Sequence, residues 1–127
     1  SILKSHPFDN ELKNGQDWDL FVRIIQSNIR FINIKQALFL YRLQTPDGIT
    51  AKAKKMSVAD VEPRLQSAFK HRVWLGEKYY KKRVAEQVLG FLPNKTSKLS
   101  WIKKCIELVG FSFTMKTLFL QFKNKFF

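Results

Sequence analysis

Apolar residues change their spacing along this chain, and each change marks an element. Residues 1–16 have little periodicity, and Pro7, Asp9, Asn10, Asn14 and Gly15 mark them as a loop. From Asp17 to about Ser27, Trp18, Phe21, Val22 and Ile25 recur at helical spacing. Asp17 and Asp19 fall in the first turn of that helix, where carboxylates suit its dipole. Phe31 to Ile34 and Ala37 to Tyr41 are aromatic, apolar or β-branched and predict two short strands. Thr45-Pro46-Asp47-Gly48 predicts a turn: Pro presets φ, Asp bonds its own backbone and Gly permits positive φ.

From about Ser57 the period is helical throughout. Ser57 and Asp60 make a capping pair, and Pro63 suits a first helical turn. A long helix is predicted to follow, with Val61, Leu65, Ala68, Phe69 and Val73 on one face and Gly76 as a break. Tyr79 to Phe91 continue in a helical pattern, and Pro93-Asn94 is a stop. Ser97 is placed to cap a helix through Val109, which Gly110 ends. A last amphipathic helix is predicted from about Ser112 to Lys125. The expected fold is mainly α with a small β element, divided into residues 1–50 and a basic helical region at 51–127.

Composition narrows the class. At 45% hydrophobic and 14% aromatic, the 127 residues suit a packed unit and exclude a disordered tail. Lysines interrupt every apolar stretch short of a membrane span, and no basic-then-apolar leader opens the chain. The single Cys105 permits no internal disulfide and reads as a buried, inert thiol in a reducing, cytoplasmic setting. The net charge of +13 is uneven. Residues 1–50 hold six Lys/Arg against five Asp/Glu, whereas residues 51–127 hold seventeen against five. That imbalance predicts an anionic partner for the second region.

Candidate chemistry concentrates in Gly15-Gln16-Asp17-Trp18-Asp19-Leu20-Phe21, preceded by Pro7-Phe8-Asp9-Asn10-Glu11-Leu12 and followed by Arg23, Tyr41-Arg42 and Ile49-Thr50. An aspartate where a loop becomes a helix is held rigidly, as a general base must be. Read without a family, Asp17 suits a helix N-terminus for its dipole alone better than it suits a base. Trp18 is either a core anchor or a stacking platform for a sugar. Arg23 reads as a structural ion-pair partner. His6 and His71 stand alone, and no His/Cys/carboxylate cluster has zinc spacing.

The order of these pieces over residues 7 to 50 resembles the second half of the catalytic domain of inverting, family-2 type glycosyltransferases. There a Gly-Glu-Asp-(aromatic)-Asp-Leu segment, an Arg, and a Tyr-Arg followed by Ser/Thr recur in this order. The resemblance implies the C-terminal, acceptor-side part of a GT-A-like α/β enzyme of bacterial surface-polysaccharide assembly, its nucleotide-binding half lying outside this chain. Asp17 then corresponds to the general base, and Trp18 and Gln16 to acceptor-binding positions. Gln16 replaces the family's glutamate, and so removes one charge. Arg42, after Tyr41, is placed to contact the diphosphate or the base loop, or equally to form a structural salt bridge, and Gln44 stands where several relatives place a histidine that meets the metal. The implied partners are a nucleotide-sugar donor and a saccharide or lipid-linked acceptor. A divalent ion, Mg or Mn, is implied for the parent enzyme, with its ligands mostly outside this chain. Asp17-Trp18-Asp19 spells D-x-D, but positions i and i+2 lie about 200° apart on a helix and do not converge on one ion.

The last two helices interleave Trp101, Ile102, Ile106, Val109, Phe113, Leu118, Phe119 and Phe122 with Lys98, Lys103, Lys104, Lys116, Lys123 and Lys125. Such a pattern suits a helix lying on an anionic bilayer, peripheral on the inner face of the cell membrane. It suits equally a set of core faces with solvated lysines. The competing class is therefore a non-enzymatic basic helical module that binds anionic membrane or, with no recognised motif for it, nucleic acid.

Overall fold

A computed structural model describes residues 2–36 and 48–126. Its helices are α1 (Ile2–Ser5), α2 (Gln16–Gln26), α3 (Ile49–Lys55), α4 (Glu62–Lys70), α5 (Arg72–Leu89), α6 (Lys98–Val109) and α7 (Phe111–Phe126). Single 3-10 turns at Val58–Asp60 and Leu92–Asn94 join α3 to α4 and α5 to α6. The chain is mainly α, as its periodicity predicts. The small β element is not found among the described residues: Phe31–Ile34 has no strand structure. All of that segment is solvent-exposed, with Ile32 at 87%, and no described residue pairs its backbone or buries its β-branched side chains. The predicted strand at Ala37–Tyr41 and the turn residues Thr45–Asp47 lie outside the described residues.

Helix α5 is the centre of the bundle, packing on α4, α6 and α7, while α6 also packs on α7. Their shared core is Val61, Leu65 and Ala68 from the α4 side, Val84, Ala85, Val88 and Leu89 from α5, Trp101, Cys105 and Val109 from α6, and Leu118 from α7. The predicted boundaries largely hold. Ser57 Oγ accepts from the Ala59 N–H, Pro63 lies in the first turn of α4, and Gly110 separates α6 from α7. The long helix predicted through Val73 is instead two. Helix α4 ends at Lys70, His71 turns the chain with φ −101°, and Val73 emerges 97% exposed. Gly76 then adopts φ 68°, ψ 160°, a conformation closed to L side chains, and so breaks the first turn of α5 from the rest.

Three polar side chains packed into the bundle need partners. Thr114 and Thr117 satisfy theirs within α7, donating to the Gly110 and Phe113 carbonyls at 2.9 Å. Lys95 is buried with no carboxylate partner among the described residues: its Nζ donates to the Val88 carbonyl at 2.9 Å and lies 3.2 Å from the Trp101 ring centroid. Burial, with the Arg64 charge adding to it, pushes the Lys95 ammonium down from 10.5 to about 8. Between those two values the unfolded chain binds more protons than the folded one, so stability rises with pH there. Chemical denaturation of the wild type and Lys95→Met at intervals from pH 7.5 to 10.5 should show the wild type gaining about 3 kcal/mol on the variant. Parallel curves would show that the ammonium is not desolvated.

Candidate functional site

The site is assembled around Asp19, whose side chain is wholly buried. Arg23 Nε donates to its Oδ2 at 2.9 Å, one turn along α2. Oδ1 accepts from Lys70 Nζ at 2.9 Å and from His71 Nε2 at 2.7 Å, both at the end of α4. Burial alone would raise the Asp19 pKa, but the hydrogen bonds from Lys70, His71 and Arg23 outweigh it and hold the carboxyl below its usual range. Lys70 also reaches Asp9 at 2.6 Å, and Arg23 donates to the Pro7 carbonyl at 2.6 Å, so the same cluster pins the loop. His71 is thus not isolated, as the sequence suggested, and neither is His6, whose Nε2 bonds Ser27 Oγ at 2.8 Å. Both partners lie more than twenty positions away in the chain, beyond the reach of local spacing.

This cluster also sets the rotation of α2. The buried residues are Asp19, Leu20, Val22 and Ile24, whereas Phe21 and Ile25 face outward at 53% and 45% exposure. The predicted Trp18–Phe21–Val22–Ile25 face is therefore corrected, with Val22 its one fully buried member. An aromatic stripe gains less from burial than an ionised Asp19 would lose without its three donors. Phe21 meets Phe31 instead, with ring centroids 6.1 Å apart.

Asp17 consequently points the other way. It is exposed, at the first turn of α2, and its Oδ1 accepts the Trp18 N–H at 2.8 Å. It lies on the wall of a cleft of about 450 Å³. The loop lends Phe8, Lys13 and Asn14 to that cleft, α4 lends Arg64 and Ser67, and α5 lends Arg83 and Gln87. Gly15 lets the loop press against α4: its φ is +72°, and a Cβ there would sit 2.7 Å from Ser67 Oγ. Gln16 also lines the cleft, but its amide is committed to the loop, donating to the Asp9 and Leu12 carbonyls at 3.2 and 2.8 Å. Trp18 stands behind the wall. Its ring lies edge-on to His71 at 5.6 Å and carries the Arg83 guanidinium at 4.6 Å.

Arg64 and Arg83 are functional candidates that the sequence reading missed. Among the described residues neither has a carboxylate within salt-bridge distance. Arg83 Nε is buried with no hydrogen-bond partner among them. Burial lowers the Arg83 pKa, with Glu86 and Asp17 opposing. The sequence signal for them was thin: two arginines nineteen positions apart in a lysine-rich region. Arg42 and Gln44 lie outside the described residues. Asp17 and Asp19 face opposite sides of α2, and among the described residues no three His, Cys, Asp or Glu side chains group to hold a metal ion. The divalent ion implied by the resemblance would have its ligands outside the described residues.

No protein-family model, no curated protein and no solved structure matches this chain. The glycosyltransferase resemblance therefore stands on residues 7 to 50 themselves.

The buried carboxylate gives a direct test. Asp19→Asn should cost about 2–4 kcal/mol at neutral pH, because it leaves three cationic donors around a neutral group. In the wild type that stabilisation is present above the unfolded aspartate pKa and lost as pH falls through the lower folded value. Urea denaturation of both proteins from pH 7 to 2 should show the gap closing at the acid end.

Proposed function

We propose that this chain is the acceptor side of an inverting glycosyltransferase, with Asp17 as the general base. The observation that supports the reading best is the division of labour in Asp17-Trp18-Asp19. One carboxylate is locked into the fold, while the other is exposed on a cleft wall, at the rigid start of a helix. In the proposed step, Asp17 takes the proton of an acceptor hydroxyl as its oxygen bonds the anomeric carbon of the donor. The bond from that carbon to the nucleoside diphosphate breaks, and the leaving group keeps the electron pair. Donor and any diphosphate-bound ion belong to a half outside residues 1–127 in this reading, so nothing here is assigned to hold them. A cleft of about 450 Å³ is in the range of small-molecule sites and suits one or two sugar rings.

The test is Asp17→Asn in the enzyme that carries this chain together with its donor half. Transfer should fall by about 10²–10⁴-fold, the usual contribution of a general base. Donor affinity and the unfolding midpoint should stay as in the wild type, because among the described residues the Asp17 side chain bonds only its own helix. Unchanged turnover would remove Asp17 from the chemistry.

A second reading, a basic helical module on an anionic bilayer, is favoured by the outer face of α7. The faces predicted there divide: Trp101, Val109 and Leu118 are core, whereas Phe111, Met115, Phe119 and Phe122 form an exposed stripe at helical spacing. Lys116 and Lys123, three positions before and four after Phe119 on α7, are exposed beside it. Apolar residues flanked by lysines match the depth profile of a headgroup region. Among the described residues no helix is long and apolar enough to cross a membrane. The two readings are compatible in an enzyme with a lipid-linked acceptor. In flotation with liposomes, the chain should rise with vesicles containing phosphatidylserine or phosphatidylglycerol and stay behind with neutral ones. Replacing Phe119 and Phe122 with Ser should weaken that binding, and retention on neutral vesicles alone would count against it.

A further inference from the structure

The lining of the Asp17 cleft carries an excess of positive charge that a neutral sugar does not use. Lys13 comes from the loop, Arg64 from α4 and Arg83 from α5, against one carboxylate, Asp17. The three cations are held on separate elements, and among the described residues neither arginine has a carboxylate within salt-bridge distance. Arg83 is the most constrained. Trp18 supports the face of its guanidinium at 4.6 Å, and its Nε is buried without an acceptor among the described residues. A charged donor removed from water and left unpaired is costly, and the cost is recovered when an acceptor oxygen arrives. The planar fork of a guanidinium fits two oxygens of one oxyanion, and a stacked arginine is already oriented for it. Ser67, Asn14 and Gln87 add neutral polar groups around the same space, and Phe8, half exposed at the rim, offers an apolar face to a sugar ring.

We propose that this cleft binds an anionic saccharide, a sugar bearing a phosphate or carboxylate group, with Arg64 and Arg83 clamping the oxyanion. Resting on the reading of Asp17 as base, the anionic group anchors the acceptor while a hydroxyl of the same sugar faces Asp17. Like charges keep the anion away from Asp17 and toward the arginines, so the charge pattern sets the direction in which the sugar enters. Trp18 is a positioning residue here. It fixes Arg83 and touches no ligand.

The test is calorimetry or NMR titration of the 127-residue chain with four probes: glucose 6-phosphate, glucuronate, glucose and inorganic phosphate. At least one anionic sugar should bind tenfold or more tighter than glucose and tighter than phosphate. Arg83→Gln and Arg64→Gln should each reduce that affinity by tenfold or more, and raising salt should weaken it. Trp18→Leu should weaken the anionic sugar in proportion to its loss of Arg83 order. Circular dichroism establishes that each variant is folded, and Arg64→Gln, on a separate helix, carries the test if Arg83→Gln is not. Equal binding of glucose, or full affinity in both folded variants, would overturn the proposal. Phosphate binding as tightly as the sugar phosphate would overturn its saccharide part. Asp17→Asn separates the two readings. Anionic-sugar binding that needs the arginines, beside transfer that is indifferent to Asp17→Asn, would sink the base and leave the binding site standing.

Discussion

A carboxylate taken wholly out of water must be met by donors that outweigh its lost hydration, and Asp19 is met by three. Those donors come from its own helix and from the end of α4, while Lys70 and Arg23 also bind the loop at Asp9 and Pro7. One buried charge therefore sets the rotation of α2, the course of the preceding loop and the docking of both on α4. The hydrophobic contribution of α2 fits around this arrangement: Leu20, Val22 and Ile24 fill the arc that Asp19 turns inward. Phe21 and Ile25 are left outside as the consequence.

The bundle was legible because its signals are local. Leu65, Ala68, Val84, Val88, Trp101 and Cys105 repeat at helical spacing, and Gly76, Pro93 and Gly110 mark the breaks. What failed was the choice of face wherever a distant partner decides it. Nothing near Asp19 in the chain announces Lys70 or His71, so Trp18, Phe21 and Ile25 looked like the inward side. Val73 continues the periodicity of Leu65 and Ala68, but the turn at His71 ends that helix first. Phe31–Ile34 has strand propensity without a neighbouring strand among the described residues, and propensity alone does not hold an isolated strand. At the site, the place of Asp17 at the start of a helix was readable. Arg64 and Arg83 were not, because only the packing of α4 against α5 brings them to one cleft.

The positive charge of residues 51–127 is likewise not one solvated surface. Lys70 is spent on Asp9 and Asp19, Lys95 is buried against Trp101, and Arg83 lies on Trp18. Lys116 and Lys123, next to Phe119 on α7, remain at the surface, where bilayer headgroups are a natural complement. Net charge counts these groups alike, but their environments assign them different work. Charge buried against an aromatic ring orients a side chain, whereas exposed charge attracts a partner.

Three consecutive residues carry this division furthest. Asp17 faces the cleft, Trp18 faces back toward Arg83 and His71, and Asp19 faces the interior. A helix turns about 100° per residue, so adjacent positions reach three surroundings with no loop to blur them. The inner carboxylate holds the helix, the indole holds the arginine, and the outer carboxylate is left free to meet whatever the arginine binds. Rigidity at the first turn is thus supplied from behind, by a charge cluster that never touches the cleft. A carboxylate on such a mount keeps its position when the cleft fills, and that is the physical argument for the proposal that places the base at Asp17.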